Sequence, residues 1–521
     1  MRTLSHSCSG VAAALFAMSF ADAKPAAATL DVACNRQAQQ AFKAGLTMLH
    51  SFEYREARAD FERAAARDSD CAIALWGEAM TYWHPLWAPP SKADLQAGAA
   101  ILEKAAATGP RREMLVEALS TFFSSDDPAT HQDRARAYER QMQAIHLALP
   151  QEPEIALFYA LSLLATADPH DKTYAQQYRA AAVVNLVGQK HPDHPGVLHY
   201  AIHAFDYPGL AYLALPAALR YADAAPNSAH AQHMPSHIFA RLGMWEEAIR
   251  SNEDSTRSAE EYTHRAHLAG HYDEGLHSID YLVYALLQVG RDADAARVLA
   301  ELRTLDEPSE DNFKAAFTYA SSPARYALER KAWQEAQQLE IAPAAFPWAQ
   351  FPWAESITHF ARGIGAAKSG NIATATAERD AIDEINASLA PTTLPYWREQ
   401  VSVQRDLVSA AIAFAQGDKD AALALANAAA DREDVVDKHP VTPGEVYPAR
   451  EFYADMLLEA GRADAALGHY VAALSRSPRR LNPMVGVARA AAALGDAQRS
   501  DLQWAFIRNQ AKNGDRRFDN P

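Results

Sequence analysis

Glycine is scarce in this chain, 22 residues of 521, and runs of β-branched residues are rare. With alanine abundant, that balance predicts helix almost throughout. Nothing after the N-terminus approaches eighteen consecutive apolar residues, which excludes a membrane-spanning helix from the mature chain and predicts a soluble protein. No basic block interrupts a net charge of −16, which argues against a nucleic-acid partner. There is no G-x-G-x-x-G after a strand, no G-K-[ST] and no G-x-S-x-G, so phosphate-cradling loops and the hydrolase nucleophile elbow are absent. Cysteine is nearly missing as well, with three residues in all.

What is present begins with an export signal. Arg2 gives a weakly basic start, Val11 to Phe20 is a short apolar run, and Ala21-Asp22-Ala23 is an A-x-A cleavage site. Residues 1–23 are therefore expected to be a cleaved signal peptide, and the protein to be periplasmic or secreted. Cys8 precedes the apolar run rather than following it, which disfavours a lipoprotein. Cleavage leaves Cys34 and Cys71, an even pair in an oxidising compartment, and a disulfide is expected; two buried free thiols are the alternative. Their spacing is close to one helical hairpin, and a cysteine nucleophile is not expected.

At 521 residues the chain is too long for one ordinary core, so it is several domains or a repeat array. The run from Ala41 carries Gly45, Phe52, Tyr54, Ala57, Phe61 and Ala64 in the spacing of a helix pair. The same skeleton returns around Gly243, Gly290, Gly370, Gly417 and Gly461. In each copy an apolar helix ends at glycine, polar residues turn the chain, and a small-residue-rich helix returns. This pattern resembles the tetratricopeptide repeat family over most of residues 36–510. The resemblance implies an all-α, right-handed solenoid with a concave groove, here divided into N-terminal hairpins (24–150), central histidine-rich repeats (151–300) and C-terminal repeats (301–521). Residues 122–132 are expected to be a loop. The twice-repeated FPWA within 342–355 is expected to be a loop packed on the solenoid, with an aromatic lip over the groove as the alternative. The last residues are expected to be a frayed tail.

Eleven of the twenty histidines fall between His191 and His277. On a helix His199 and His203 lie about 40° apart, and His230, His233 and His237 fit within about 60°. Taking Gly243 as position 15 of its repeat puts His230, His233 and His237 at positions 2, 5 and 9. The same count from Gly290 puts His277 and Asp280 at positions 2 and 5. In the tetratricopeptide family these positions line the groove, an implication of the resemblance rather than of the spacing. His199, His203, His233, His237 and Asp280 are thus the expected metal ligands, suited to Zn, Cu, Fe, Ni or Mn rather than Ca or Mg. His230, Asp206 and Ser236 are expected to line the ligand groove. His277 and Glu451 are the candidate acid/base residues; Glu451, at position 5 of its own repeat, is otherwise expected to pair with Arg450 or Arg462. His84, His191 and His194 are expected to be structural, and His264, His267 and His271 peripheral.

The helices HAQHMPSHIFARLGMW and LHSIDYLVYALLQVGR also resemble a group of exported bacterial tetratricopeptide proteins, which strengthens the architecture more than the function. The leading expectation is an exported solenoid that binds a protein, peptide or small molecule in its concave groove, with a transition-metal site on the first helices of the central repeats. A metal-dependent hydrolase or oxidase is the second expectation, and a structural assembly scaffold the third.

Overall fold

The computed structural model describes residues 30, 32, 34–107, 114–390 and 393–518; the expected signal peptide lies outside them. The chain folds as an all-α solenoid. Among the described residues there is no strand, only isolated bridges joining His84 to Ala88 and His271 to Pro308. Helix Arg36–His50 packs on Tyr54–Arg67, Asp273–Gln288 on Trp245–Arg265, and Pro395–Ala415 on Lys419–Asp434, each pair an antiparallel hairpin.

Glycine turns the hairpins where expected. Gly243, Gly290, Gly370, Gly417 and Gly461 all have positive φ, between 66° and 92°, the left-handed exit that glycine takes without steric cost. Gly495, at φ 77°, adds a further copy after Leu481–Ala493. Gly45 does not belong with them. It lies inside Arg36–His50, where an added Cβ would stand 3.0 Å from the Phe61 ring, so its role is close helix packing. The turn of that first hairpin is made by Phe52, at φ 56°. Gly243→Ala is expected to destabilise more than Gly461→Ala in denaturant titrations. Both meet the left-handed penalty of about 1–2 kcal/mol, but at Gly243 the new methyl also meets the Pro478 carbonyl at 2.4 Å, whereas at Gly461 it meets open space.

One apolar cluster runs from Leu30 to Tyr200 and a second from Ala181 to Val487. Helix Pro195–Phe205 knits them together, giving Val197 and Tyr200 to the first and Leu198, Ile202 and Phe205 to the second. The first histidine pair stands on this helix. Between Phe122 and His131 the chain is a loop with one 3-10 turn, as expected. In the FPWA segment Phe346 and Trp348 are buried, and Pro352 opens helix Pro352–Lys368. The tail departs from expectation: Asp515 accepts from the Asp292 and Ala293 amides, and Arg516 pairs with Asp292. Residues 514–518 are docked, because the helix N-terminus at Asp292 offers free amides.

The C-terminal part of the chain also closes over the centre. The Leu481 amide donates to Gln288 Oε1 at 2.8 Å, and Trp245 Nε1 donates to the Arg479 carbonyl at 2.9 Å. Between helices Lys419–Asp434 and Ala449–Glu459, residues 435–448 run along the inner helices. There Tyr281 donates to the Thr442 carbonyl, Arg325 to the Gly444 carbonyl and His439 to the Trp87 carbonyl, at 3.0, 2.8 and 3.0 Å. The inner face beside the histidines is therefore covered by the chain itself.

Candidate metal centre

Local signals aim the imidazoles. His194 caps helix Pro195–Phe205 by accepting the Gly196 amide at 3.1 Å, with Pro195 as the first helical residue. His199 and His203 follow one turn apart. Ser228 caps Ala229–His233 by accepting the Ala231 amide at 2.9 Å. Met234 keeps helical backbone (φ −54°, ψ −34°) into Pro235–Leu242, so His230, His233 and His237 stay on one face. His277 comes from Asp273–Gln288, every residue of which is buried.

These helices bring the imidazoles into two adjacent triads. One ligand nitrogen from each of His199, His203 and His230 lies within 4.8 Å of the others, and the same holds for His233, His237 and His277. The triads adjoin: the His203 and His237 ring centroids are 6.4 Å apart, as are those of His230 and His233. All six side chains are buried, His203 being the most exposed at 8%.

The hydrogen bonds fix where the protons sit. His199 Nδ1 is 2.7 Å from the His50 carbonyl, and His230 Nδ1 is 3.0 Å from Glu274 Oε2. His233 Nδ1 is 2.7 Å from Asn252 Oδ1, and His237 Nδ1 is 2.9 Å from Asp206 Oδ2. Asn252 is oriented by its amide nitrogen, which donates to the Ala248 carbonyl at 2.7 Å. All four partners accept, so in the neutral imidazole each Nδ1 carries the hydrogen and each Nε2 a lone pair. Yet His199 Nε2 faces His230 Nε2 at 3.2 Å, and His233 Nε2 faces His237 Nε2 at 3.0 Å. Lone pairs that close repel unless a cation lies between them. Nitrogens bound at about 2.0–2.1 Å to a tetrahedral ion stand about 3.3 Å apart, close to both separations. His203 Nε2 and His277 Nδ1, the remaining members, are buried without a hydrogen-bond partner.

Between His233 and His237 a proton is a poor substitute for a metal. Burial, followed by neighbouring imidazoles, holds His199, His203, His233 and His277 well below the usual imidazole range, and burial brings His237 to about 4. Neutral imidazole is the metal-binding form. The carboxylates behind the rings remain ionised. Burial opposes this at Asp206, but Lys438 and Arg241 overcome it; at Glu274 Lys314 does the same. Carboxylate-to-imidazole pairs of this kind orient metal-binding histidines and raise their basicity.

Two expected site residues do not join the cluster. Asp280 was expected as a ligand; it is not grouped with either triad, its Oδ1 accepting from Ser321 at 2.7 Å and from Ser322 and Arg325 at 3.4 Å, while its Oδ2 is buried without a hydrogen-bond partner. Helix Phe313–Glu329 packs against it and carries Arg325, a fully buried guanidinium that needs a counter-charge. Glu451 was expected to reach the site across the groove. Instead it accepts from Arg480 at 2.5 Å, in a group with Glu329, while Arg450 pairs with Asp431 and Arg462 with Asp420. His230 and His277, expected as groove and acid/base residues, sit among the metal-type donors. Asp206 stands behind His237, and Ser236 Oγ lies 3.4 Å from Asn252 Oδ1. His264 and His267 are exposed.

A third grouping, His50, Glu154 and His194, has its protons accounted for. Glu154 receives His50 Nε2 at 2.6 Å and His194 Nε2 at 3.1 Å, His50 Nδ1 meets the Tyr200 hydroxyl at 2.9 Å, and His194 Nδ1 takes the Gly196 amide. It is a satisfied network that holds the His50 carbonyl against His199. His50 and Glu53 carried no local signal in the sequence; each acts on the cluster from about 150 to 177 positions away.

Beside the first triad opens a cavity of about 1050 Å³, walled by Phe52, Tyr54, Trp87, Phe313, Trp353 and Trp397. Glu274 and Phe52 belong both to its wall and to the surroundings of the imidazoles. Trp353 brings the second FPWA copy into this wall.

Burial also sets the pH dependence of the metal-free protein. Burial lowers His84, His131, His237 and His439 to about 4. Between pH 6.5 and 4 these groups bind protons only when unfolded, so their contribution is complete above 6.5 and is lost as pH falls. Glu56 and Glu451, raised by burial to about 7, act in the opposite sense, but the imidazoles outnumber them. The urea midpoint of the metal-free protein is expected to fall steadily from pH 6.5 to 4.5; a flat or rising profile would contradict this assignment.

No protein-family model matches the sequence, and no curated protein matches it. Solved structures similar in architecture include the P58(IPK) TPR domain (12% identity, 88% of this chain and 99% of that one, TM-score 0.23). The human IFIT1 dimer with m7Gppp-AAAA (10%, 93% and 96%, 0.38) and yeast Tom70 (13%, 91% and 98%, 0.34) are others. At these scores the likeness says nothing of ligand or activity.

Proposed function

We propose that the protein is a transition-metal protein whose solenoid holds two ions, copper or zinc, one on His199, His203 and His230 and one on His233, His237 and His277. The observation that carries this reading is the pair of Nε2-to-Nε2 contacts at 3.2 and 3.0 Å between imidazoles whose Nδ1 hydrogens are committed elsewhere. Imidazole-only donor sets suit copper and zinc, with copper the tighter of the two. Three protein ligands leave a coordination position open, the arrangement of a reactive rather than a structural site. Such an ion supplies Lewis-acid activation of water, or oxygen binding if it is redox-active.

The chain's own residues do the rest. Asp206, Glu274, Asn252 and the His50 carbonyl fix the tautomers, and residues 435–448 exclude water from the inner side. Export agrees with the N-terminal cleavage pattern and with the disulfide joining Cys34 to Cys71. The test is metal titration of untagged, chelator-stripped protein, with bound copper and zinc read by elemental analysis after desalting. Two retained equivalents per chain are expected; substoichiometric retention of both metals would overturn the reading.

A further inference from the structure

The aromatic cavity gives the proposed metal centre a substrate class, an assignment that rests on the two-ion reading of the triads. We propose that the cavity is the chamber of a neutral planar aromatic substrate, and that Phe52 is the positioning residue that sets how closely its ring approaches the first triad. The volume of about 1050 Å³ is at the upper end of small-molecule pockets, about 300–1,000 Å³. Trp353 and Trp397 are stacked at 3.8 Å in its wall, which also holds Trp87, its ring 5.3 Å from that of His230. Flat walls of this kind favour offset or edge-on contact with another ring.

Two of the wall's cations already have carboxylate partners and a third lies on a ring. Lys314 pairs with Asp273 and Glu274 and lies over the Trp87 ring, Arg55 pairs with Glu310, and Arg58 lies flat on Tyr82 at 3.7 Å. A ligand that paired with Lys314 or Arg55 would have to break an existing ion pair; a neutral ring would not.

Phe52 is the partition. Its ring stands edge-on to His199 at 4.4 Å and stacks on His203 and His230 at 5.5 and 5.7 Å, while also lining the cavity. It also occupies the turn position that glycine fills in the later hairpins, two residues before the returning helix, and has their left-handed backbone at φ 56°. A phenylalanine is strained there, and such strain persists where the side chain is needed. Phe52→Gly therefore removes the ring while giving the turn the residue its backbone favours.

Tryptophan fluorescence of the metal-free protein is titrated with phenol and with cyclohexanol, its saturated counterpart of similar size. Phenol is expected to saturate at a concentration at least tenfold lower, and Trp397→Leu to weaken phenol at least tenfold with copper content unchanged. In the copper(II)-loaded protein phenol is expected to shift the visible absorption, and Phe52→Gly to alter that shift per bound copper. Equal binding of the two alcohols, or a copper spectrum indifferent to phenol in both proteins, would overturn this inference and leave the metal centre standing. Selective phenol binding by a chain that retains no metal would instead overturn the metal centre, and with it the cavity's role as its substrate chamber.

Discussion

Alanine at both His233 and His237 is expected to remove one of the two metal equivalents and leave the other. The pair supplies two of the three nitrogens of its triad, with Nε2 atoms 3.0 Å apart; His277 alone retains too few ligands to hold an ion. The first triad keeps its outer partners, the His50 carbonyl and Glu274, so it should still load. Because metal bound only to the folded state adds about 4 kcal/mol of stability at a thousandfold excess over Kd, the metal-induced rise in unfolding midpoint should shrink as well. His264→Ala with His267→Ala, both exposed, serves as the control. Equal metal loss in variant and control, or none in either, would place the ions elsewhere.

The second large effect concerns the disulfide. Cys34 and Cys71 are joined across 37 positions with Cα atoms 5.0 Å apart. Closing a loop of that length removes chain entropy from the unfolded state worth roughly 4 kcal/mol. Cys34→Ser with Cys71→Ser is expected to lower the unfolding free energy by about that amount in denaturant titration. The Asn35 amide to Asp68 at 2.6 Å, and Asn35 Nδ2 to the Arg67 carbonyl at 2.8 Å, tie the same two hairpin ends, so part of the local structure should survive. The clamped segment carries His50, Phe52 and Glu53, all of which touch the first triad or its supports. The serine variant should therefore bind metal more weakly at the first triad than at the second. An unchanged midpoint would mean that the clamp constrains little.

The repeats and the histidine faces were legible because both are periodic. Glycines recurring at turn-backs and imidazoles three and four residues apart are properties of one helix or one hairpin. What could not be read is what closes over each face from far along the chain. Helical phase places Asp280 within about 60° of His277, but its Oδ1 turns to Ser321 and Arg325 on the neighbouring helix. Lys438 reaches Asp206 across 232 positions and Phe52 reaches His203 from another hairpin; no period links them. The same limit explains the single five-ligand set expected from sequence. Phase could not show that His230 and His277 complete two triads rather than border one. Gly45 misled for a related reason, since glycine serves both close packing and turns, and the first turn is made by a phenylalanine.

The central claim is that six imidazoles hold two ions. Anomalous diffraction at the copper edge from copper-loaded crystals tests it most directly. Two peaks per chain are expected, one among His199, His203 and His230 and one among His233, His237 and His277. A single peak, or peaks only at exposed histidines such as His264, would contradict it.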